Sequence, residues 1–213
     1  IHAVKTTSFD IGYETYFENL DLGFVITYFD IIVEDPIMGS NITNFQDNVS
    51  GAKNKSKGIE LATNWTDNKK LNIGFNYTFT KSYSGMDCDK PEKDKWGLTS
   101  CLDSGDGWLE KAMVRVPLHA LSSKINYQFN KNLNNTLLLT YKGRTRDYAG
   151  SDYNFKDQIL DEYFLVDLKS SYKLQNNFDL NFSVKNLLDK NYENAFLYSG
   201  TPRTMNLGLK INY

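Results

Sequence analysis

No stretch of this sequence approaches eighteen consecutive apolar residues, so it carries no transmembrane helix. It has only two cysteines and two histidines, which argues against a zinc module. Acidic and basic residues nearly cancel, leaving a formal net charge of −2, so nucleic-acid binding through overall charge is not expected. The opening IHAVKTTSFD lacks the basic region and apolar run of a signal peptide. No G-x-S-x-G elbow, phosphate loop or dinucleotide fingerprint occurs. A convincing 3.6-residue apolar stripe is also missing, which leaves helix nearly absent.

What the sequence has in quantity is aromatic side chains, 14 Tyr and 13 Phe, set in alternation with polar residues. The C-terminal RTMNLGLKINY puts Met205, Leu207, Leu209, Ile211 and Tyr213 on one face of an extended strand. SFDIGYETYF does the same with Phe9, Ile11, Tyr13, Thr15 and Phe17. Seven further segments repeat the pattern, at 20–28, 59–65, 71–79, 121–129, 137–141, 164–174 and 178–184, which makes nine strands. Short polar turns near 18–19, 66–69, 130–134 and 175–177 alternate with long loops near 35–50, 85–112, 148–160 and 190–202. Short turns of this kind suit tight hairpins, and the alternation describes an antiparallel up-and-down meander.

The strands read as about 10–16 residues, against about 5–6 in ordinary globular proteins. A tilted strand needs about 9–11 residues to cross a bilayer core. Alternating segments of that length, with short turns at one end and long loops at the other, are the signature of an outer-membrane barrel. Phe17, Phe129, Phe178 and Tyr213 near the short turns, and Tyr28, Tyr141 and Tyr148 near the loops, fit two interfacial girdles. The mean hydropathy of −0.50 does not contradict this, because it averages a lipid face with a wet one. A soluble barrel or sandwich burying the same face in its own core is the alternative.

Cys88 and Cys101 both fall in the polar stretch GMDCDKPEKDKWGLTSCLDSGDGW. They read as a disulfide stapling a long loop, which requires an oxidising compartment, in preference to two unrelated thiols. Such a closure would stabilise by roughly 3 kcal/mol on the chain-entropy model. The acidic residues around them miss the D-x-D-x-D-G spacing of a calcium loop. With His2 and His119 isolated, neither a metal site nor a catalytic constellation is expected, and the protein is not read as an enzyme.

The end of the chain, SVKNLLDKNYENAFLYSGTPRTMNLGLKINY, resembles that of TonB-dependent outer-membrane receptors. Asn186, Leu187, Asp189, Lys190, Tyr192, Arg203 and Tyr213 match their N-L-F-D-K-x-Y segment, the Arg that opens the last strand and the terminal aromatic; Leu188 stands where Phe is usual. Upstream, NVSGAKNKSKGIELATNW, RVPLHALSSKINYQF and YFLVDLKSSYKL resemble further strands of that family. The resemblance implies an all-β, antiparallel transmembrane β-barrel, of which residues 1–213 would supply about nine C-terminal strands out of 22. The plug domain, the TonB-binding segment and the earlier strands would be missing. It also implies a Gram-negative outer-membrane location, active uptake driven by the TonB complex through the missing N-terminal part, and recognition of Tyr213 by the outer-membrane assembly machinery. No cofactor is implied.

Within the family, the RVP strand, YKGRTRDY and the final loop look most like the vitamin B12 (cobalamin) receptor branch. That likeness implies Arg115, Asp152 and Tyr153 as ligand-facing. Arg144 and Tyr198 add the polar donors and flat aromatics that a bulky corrinoid needs from converging loops. Receptors for siderophores, haem or other metal chelates are the alternative, since Arg144 and Arg146 together suit an anionic chelate.

Overall fold

The computed structural model describes residues 3–36, 38–39, 48–49, 52–67, 70–86, 112–149, 156–175 and 177–211. Nine strands form one antiparallel sheet in strict chain order. They are β1 (Lys5–Phe17), β2 (Leu22–Glu34), β3 (Ala52–Thr66), β4 (Leu71–Met86), β5 (His119–Gln128), β6 (Leu133–Lys142), β7 (Tyr163–Gln175), β8 (Phe178–Lys185) and β9 (Thr204–Ile211). The last two are eight residues long, shorter than the pattern suggests. Apart from one 3-10 turn at Glu18–Leu20, the described residues hold no helix.

Directly paired residues share a face, so the registers test the alternation across the whole sheet. One row runs Tyr13–Ile26–Leu61–Tyr77–Leu121–Tyr141–Phe164 through seven strands. A second joins Leu137, Leu168, Val184 and Met205. Every apolar set therefore lands on the same side. Phe9, Ile11, Tyr13, Leu207 and Leu209 are largely exposed there, as a lipid-facing surface requires. The opposite side carries Glu14, Asn76, Ser122, Lys124, Thr136, Asp167, Lys169, Asn181 and Asn206. Two open concavities of about 450 and 680 Å³ lie over that polar side, so the sheet curves with its wet face inward. Among the described residues, β1 and β9 each keep one edge unpaired, and the barrel is open.

The short turns are closed by their own polar side chains. Asp67 Oδ1 accepts the N–H groups of Lys70 and Leu71 at 2.7 and 2.8 Å. Asn130 Oδ1 accepts those of Asn132 and Leu133 at 2.8 and 2.9 Å. Asp21 sits left-handed at φ 48 and receives the Tyr16 hydroxyl at 2.8 Å. Short polar side chains satisfy backbone donors that neither lipid nor a ladder could.

Within the long loops the chain folds further than alternation alone predicts. Thr145–Ala149 pairs with Lys156–Leu160, Glu193–Ala195 with Tyr198–Ser199, and Met38–Gly39 with Asn48–Val49. The backbone of Tyr148 therefore belongs to a separate two-stranded ribbon outside the main sheet. Tyr28 and Tyr141 do lie in the main sheet, on its apolar face.

Candidate functional site

All four long connections leave the same end of the sheet, so this end forms the mouth. Thr145, Asp147 and Asn186, three of the buried polar residues among those described, lie here. Asp147 is 1% exposed. Its carboxylate accepts Arg115 Nε at 3.1 and 3.2 Å and the Phe196 N–H at 2.8 Å. Arg115 stands in the segment before β5 with φ 64, a left-handed backbone, and its N–H donates to the Arg146 carbonyl at 2.8 Å. In return Arg146 Nη1 donates to the Ala112 carbonyl at 2.9 Å. One carboxylate and two guanidiniums thus bind three loop segments, 112–118, 145–149 and 193–199, into one body.

A second knot forms where β8 ends. Asn186, 3% exposed and left-handed at φ 49, accepts the Lys190 N–H at 2.9 Å through Oδ1. Its Nδ2 donates to the Lys190 and Thr201 carbonyls at 2.9 and 3.1 Å. Its own N–H donates to Asp167 Oδ1 at 2.8 Å. Asp189 receives the Arg203 N–H at 3.1 Å and its guanidinium at 3.5 Å. Tyr192 packs against Tyr163, ring centroids 4.5 Å apart, and fills the space a side chain at Gly200 would need. The residues that carried the C-terminal resemblance therefore hold the last loop in shape.

Of the expected ligand residues, Arg115 is held by Asp147, with its side chain 57% exposed. Arg144 is exposed in the short break between β6 and the ribbon that follows. Tyr198, 72% exposed, sits beside Leu197 (76% exposed, φ 64) in the ribbon that Phe196 ties to Asp147. Arg115 and Tyr198 are thus linked through one carboxylate. Asp152, Tyr153, Cys88, Cys101 and Tyr213 lie outside the described residues, as does the acidic stretch 87–111. An open pocket of about 640 Å³ at the same end is lined by Asp161, Glu162, Lys190, Tyr192 and Glu193 among others. His119 is structural: its Nδ1 is 2.7 Å from the Tyr77 hydroxyl, and its ring packs 5.3 Å from Phe79. No group of three or more His, Cys, Asp or Glu that could hold a metal occurs among the described residues.

Asp147 was not singled out from the sequence. The available signal was a lone carboxylate in RTRDY, on the face opposite Arg144 and Arg146.

Comparison with known proteins follows the same lines. Residues 2–187 match the family model described as TonB dependent receptor-like, beta-barrel. No curated protein sequence matches. Among solved structures, the chain is similar to the ferric-catecholate import receptor Fiu from E. coli K12, at 17% identity and TM-score 0.72, covering 99% of this chain and 28% of that one. It is similar to the pyoverdine receptor FpvA from Pseudomonas aeruginosa PAO1, at 19% identity and TM-score 0.72, covering 99% and 30%. The siderophore receptor PiuA from Acinetobacter baumannii gives 21% identity and TM-score 0.72, with coverage of 98% and 28%. The chain thus spans less than a third of each of these structures.

Proposed function

The chain belongs to the TonB-dependent receptor β-barrel family of the Gram-negative outer membrane, and from that premise we infer that it walls the ligand path of a receptor importing an iron chelate of the siderophore type. The open sheet would be closed by further strands of a longer receptor. A plug and the TonB complex, engaged through its N-terminal part, would drive uptake. The observation that carries the ligand class is the set of solved receptors with this fold, which are named for ferric catecholate, pyoverdine and siderophore.

The mouth has chemistry suited to such a ligand. An anionic chelate needs a cation and flat apolar surface from more than one loop. Arg144 offers an exposed guanidinium, and Leu197 with Tyr198 an exposed apolar and aromatic tip. Arg115 acts from behind, positioning the Tyr198 ribbon through Asp147. Asp152 and Tyr153, from the loop joining the 145–149 and 156–160 strands, are proposed to complete the rim. Tyr213 is proposed as the residue read during assembly.

Cobalamin is the second reading, favoured by the likeness of the RVP and YKGRTRDY segments to that branch. Its weight falls because Arg115, the residue that likeness makes ligand-facing, is engaged by Asp147 in holding loops together. The deciding experiment offers the full-length receptor a ferric catecholate, a ferric hydroxamate, haem and cyanocobalamin. Selective binding of a ferric siderophore, weakened by Arg144→Ala, is expected. Selective cyanocobalamin binding would overturn the chelate reading and leave the family intact.

A further inference from the structure

The side of the sheet that faces lipid is not apolar along its whole height. On β3 and β4, Lys57 and Lys81 are directly opposite each other in the ladder. Lys55 lies two residues further toward the mouth on the same face. Ser56, between Lys55 and Lys57, belongs to the opposite face, where its Oγ contacts Met113 Sδ at 4.0 Å.

The height is also defined. About 9–11 residues of a tilted strand cross the hydrocarbon. Counted from the short-turn end, that length runs from Trp65 to Lys57 and Lys55 on β3, and from Leu71 to Lys81 on β4. The row immediately below is Tyr28, Ile59 and Phe79, an aromatic and apolar boundary. Three lysines therefore stand together where the outer leaflet passes from acyl chains to head groups, and their long stems can reach upward from it.

Charge balance makes the cluster unusual. Glu34 is shared between Lys5 and Lys53, 3.7 Å from each, and belongs to the row nearer the loops. Asp30 is the one carboxylate opposite Lys57. Among the described residues, Lys55, Lys57 and Lys81 have no salt-bridge partner. Like charges placed directly opposite on a sheet are destabilising. Asp30, whose Oδ1 is buried without a hydrogen-bond partner among the described residues, offsets only part of the charge in this row. An external anion would relieve the rest. Basic clusters at a membrane surface attract anionic lipid head groups.

We propose that Lys55, Lys57 and Lys81 form a docking surface for the phosphate groups of a phosphorylated glycolipid in the outer leaflet, held on the outside of the barrel. Acyl chains of that lipid would lie along Tyr28, Ile59 and Phe79 below. The proposal rests on the lipid-facing assignment of this side and is independent of which nutrient the receptor takes up.

The test compares the full-length receptor with a K55Q/K57Q/K81Q variant by native mass spectrometry in the presence of bisphosphorylated lipid A. Wild type is expected to retain the lipid at least tenfold better, and the difference is expected to vanish with dephosphorylated lipid A. Equal retention by both proteins, or an unchanged difference with the dephosphorylated lipid, would overturn the proposal. So would displacement of lipid A by millimolar inorganic phosphate, which would mark a site for the free anion. Heat-modifiable gel migration verifies folding. Should the triple variant not fold, K55Q and K81Q alone must each lower retention at least twofold, and retention unchanged in both would contradict the assignment. The siderophore-binding panel fails or succeeds separately, since none of these lysines faces the lumen.

Discussion

Arg115 Nε lies 3.1 Å from Oδ2 of Asp147, a carboxylate from a different loop that is 1% exposed. The two residues are unequal partners. Removing Arg115 takes a charge partner away from a buried carboxylate, a change that costs up to about 3–5 kcal/mol where a pair is fully buried. The half-exposed guanidinium lowers that figure through solvent screening. Arg115→Ala is therefore expected to loosen the mouth more than Asp147→Asn, which keeps the shape without the charge. Amide hydrogen exchange across 112–118 and 193–199 measures this; greater loosening in Asp147→Asn would contradict it. Ligand affinity should fall in parallel, while barrel stability should stay nearly unchanged.

Asn186 offers a second contrast. Its side chain makes three hydrogen bonds, and its φ of 49 suits Asn or Gly better than other residues. Asn186→Ala is expected to cost about 2–3 kcal/mol locally, from lost bonds and backbone strain. Asn186→Gly restores the backbone only and should recover part of that loss. Susceptibility of residues 187–203 to limited proteolysis reads the order of effect, and equal susceptibility of both variants would sink the backbone argument.

Glycines on the polar face separate by what surrounds them. A side chain at Gly58 would run into the Phe79 carbonyl oxygen and the Phe29 ring, whereas Gly208 has nothing near. Overpacking typically costs about 1–3 kcal/mol, and more when backbone must move. Gly58→Ala should therefore reduce folded yield in the outer membrane, and Gly208→Ala should leave it unchanged within about 0.5 kcal/mol of stability. Comparable yields for the two would show that β3 and β4 pair less tightly than described.

Adjacent positions on β8 test sidedness directly. Phe182 pairs with Leu207 on the apolar face, and Asn181 with Gly208 on the polar one. A lysine on the lipid side costs about 2–4 kcal/mol near the bilayer midplane. Phe182→Lys is expected to impair insertion, and Asn181→Lys to be tolerated. Folded fraction in phosphatidylcholine vesicles discriminates them; tolerance at Phe182 would argue for a core other than lipid.

The strands were legible in the sequence because a single physical demand acts on every one of them. Phe178, Leu180 and Phe182 lie on the apolar side of β8, so their period is two without interruption. The short turns were legible for a similar reason, since Asp67 and Asn130 satisfy donors only a few residues away. The mouth obeys no such period. Asp147 meets Arg115 across 32 residues of chain and Phe196 across 49, and nothing local announces either meeting. The ribbon of Thr145–Ala149 with Lys156–Leu160 was hidden for the same reason, since its strands leave the main sheet. The C-terminal motif was visible as a resemblance, yet its role in bracing the last loop through Asn186 and Asp189 emerged only from the folded arrangement.

The central claim is that one side of this sheet meets lipid and the other water. Nitroxide labels placed singly at positions 164–172 of β7 in the membrane-embedded full-length receptor test it most directly. Collision rates with oxygen, which concentrates in lipid, should peak at Phe164, Val166, Leu168, Ser170 and Tyr172. Rates with a water-soluble nickel chelate should peak at Leu165, Asp167, Lys169 and Ser171. Two profiles oscillating out of phase with a period of two are the predicted result. Water accessibility on both faces, or oxygen accessibility on neither, would contradict the account.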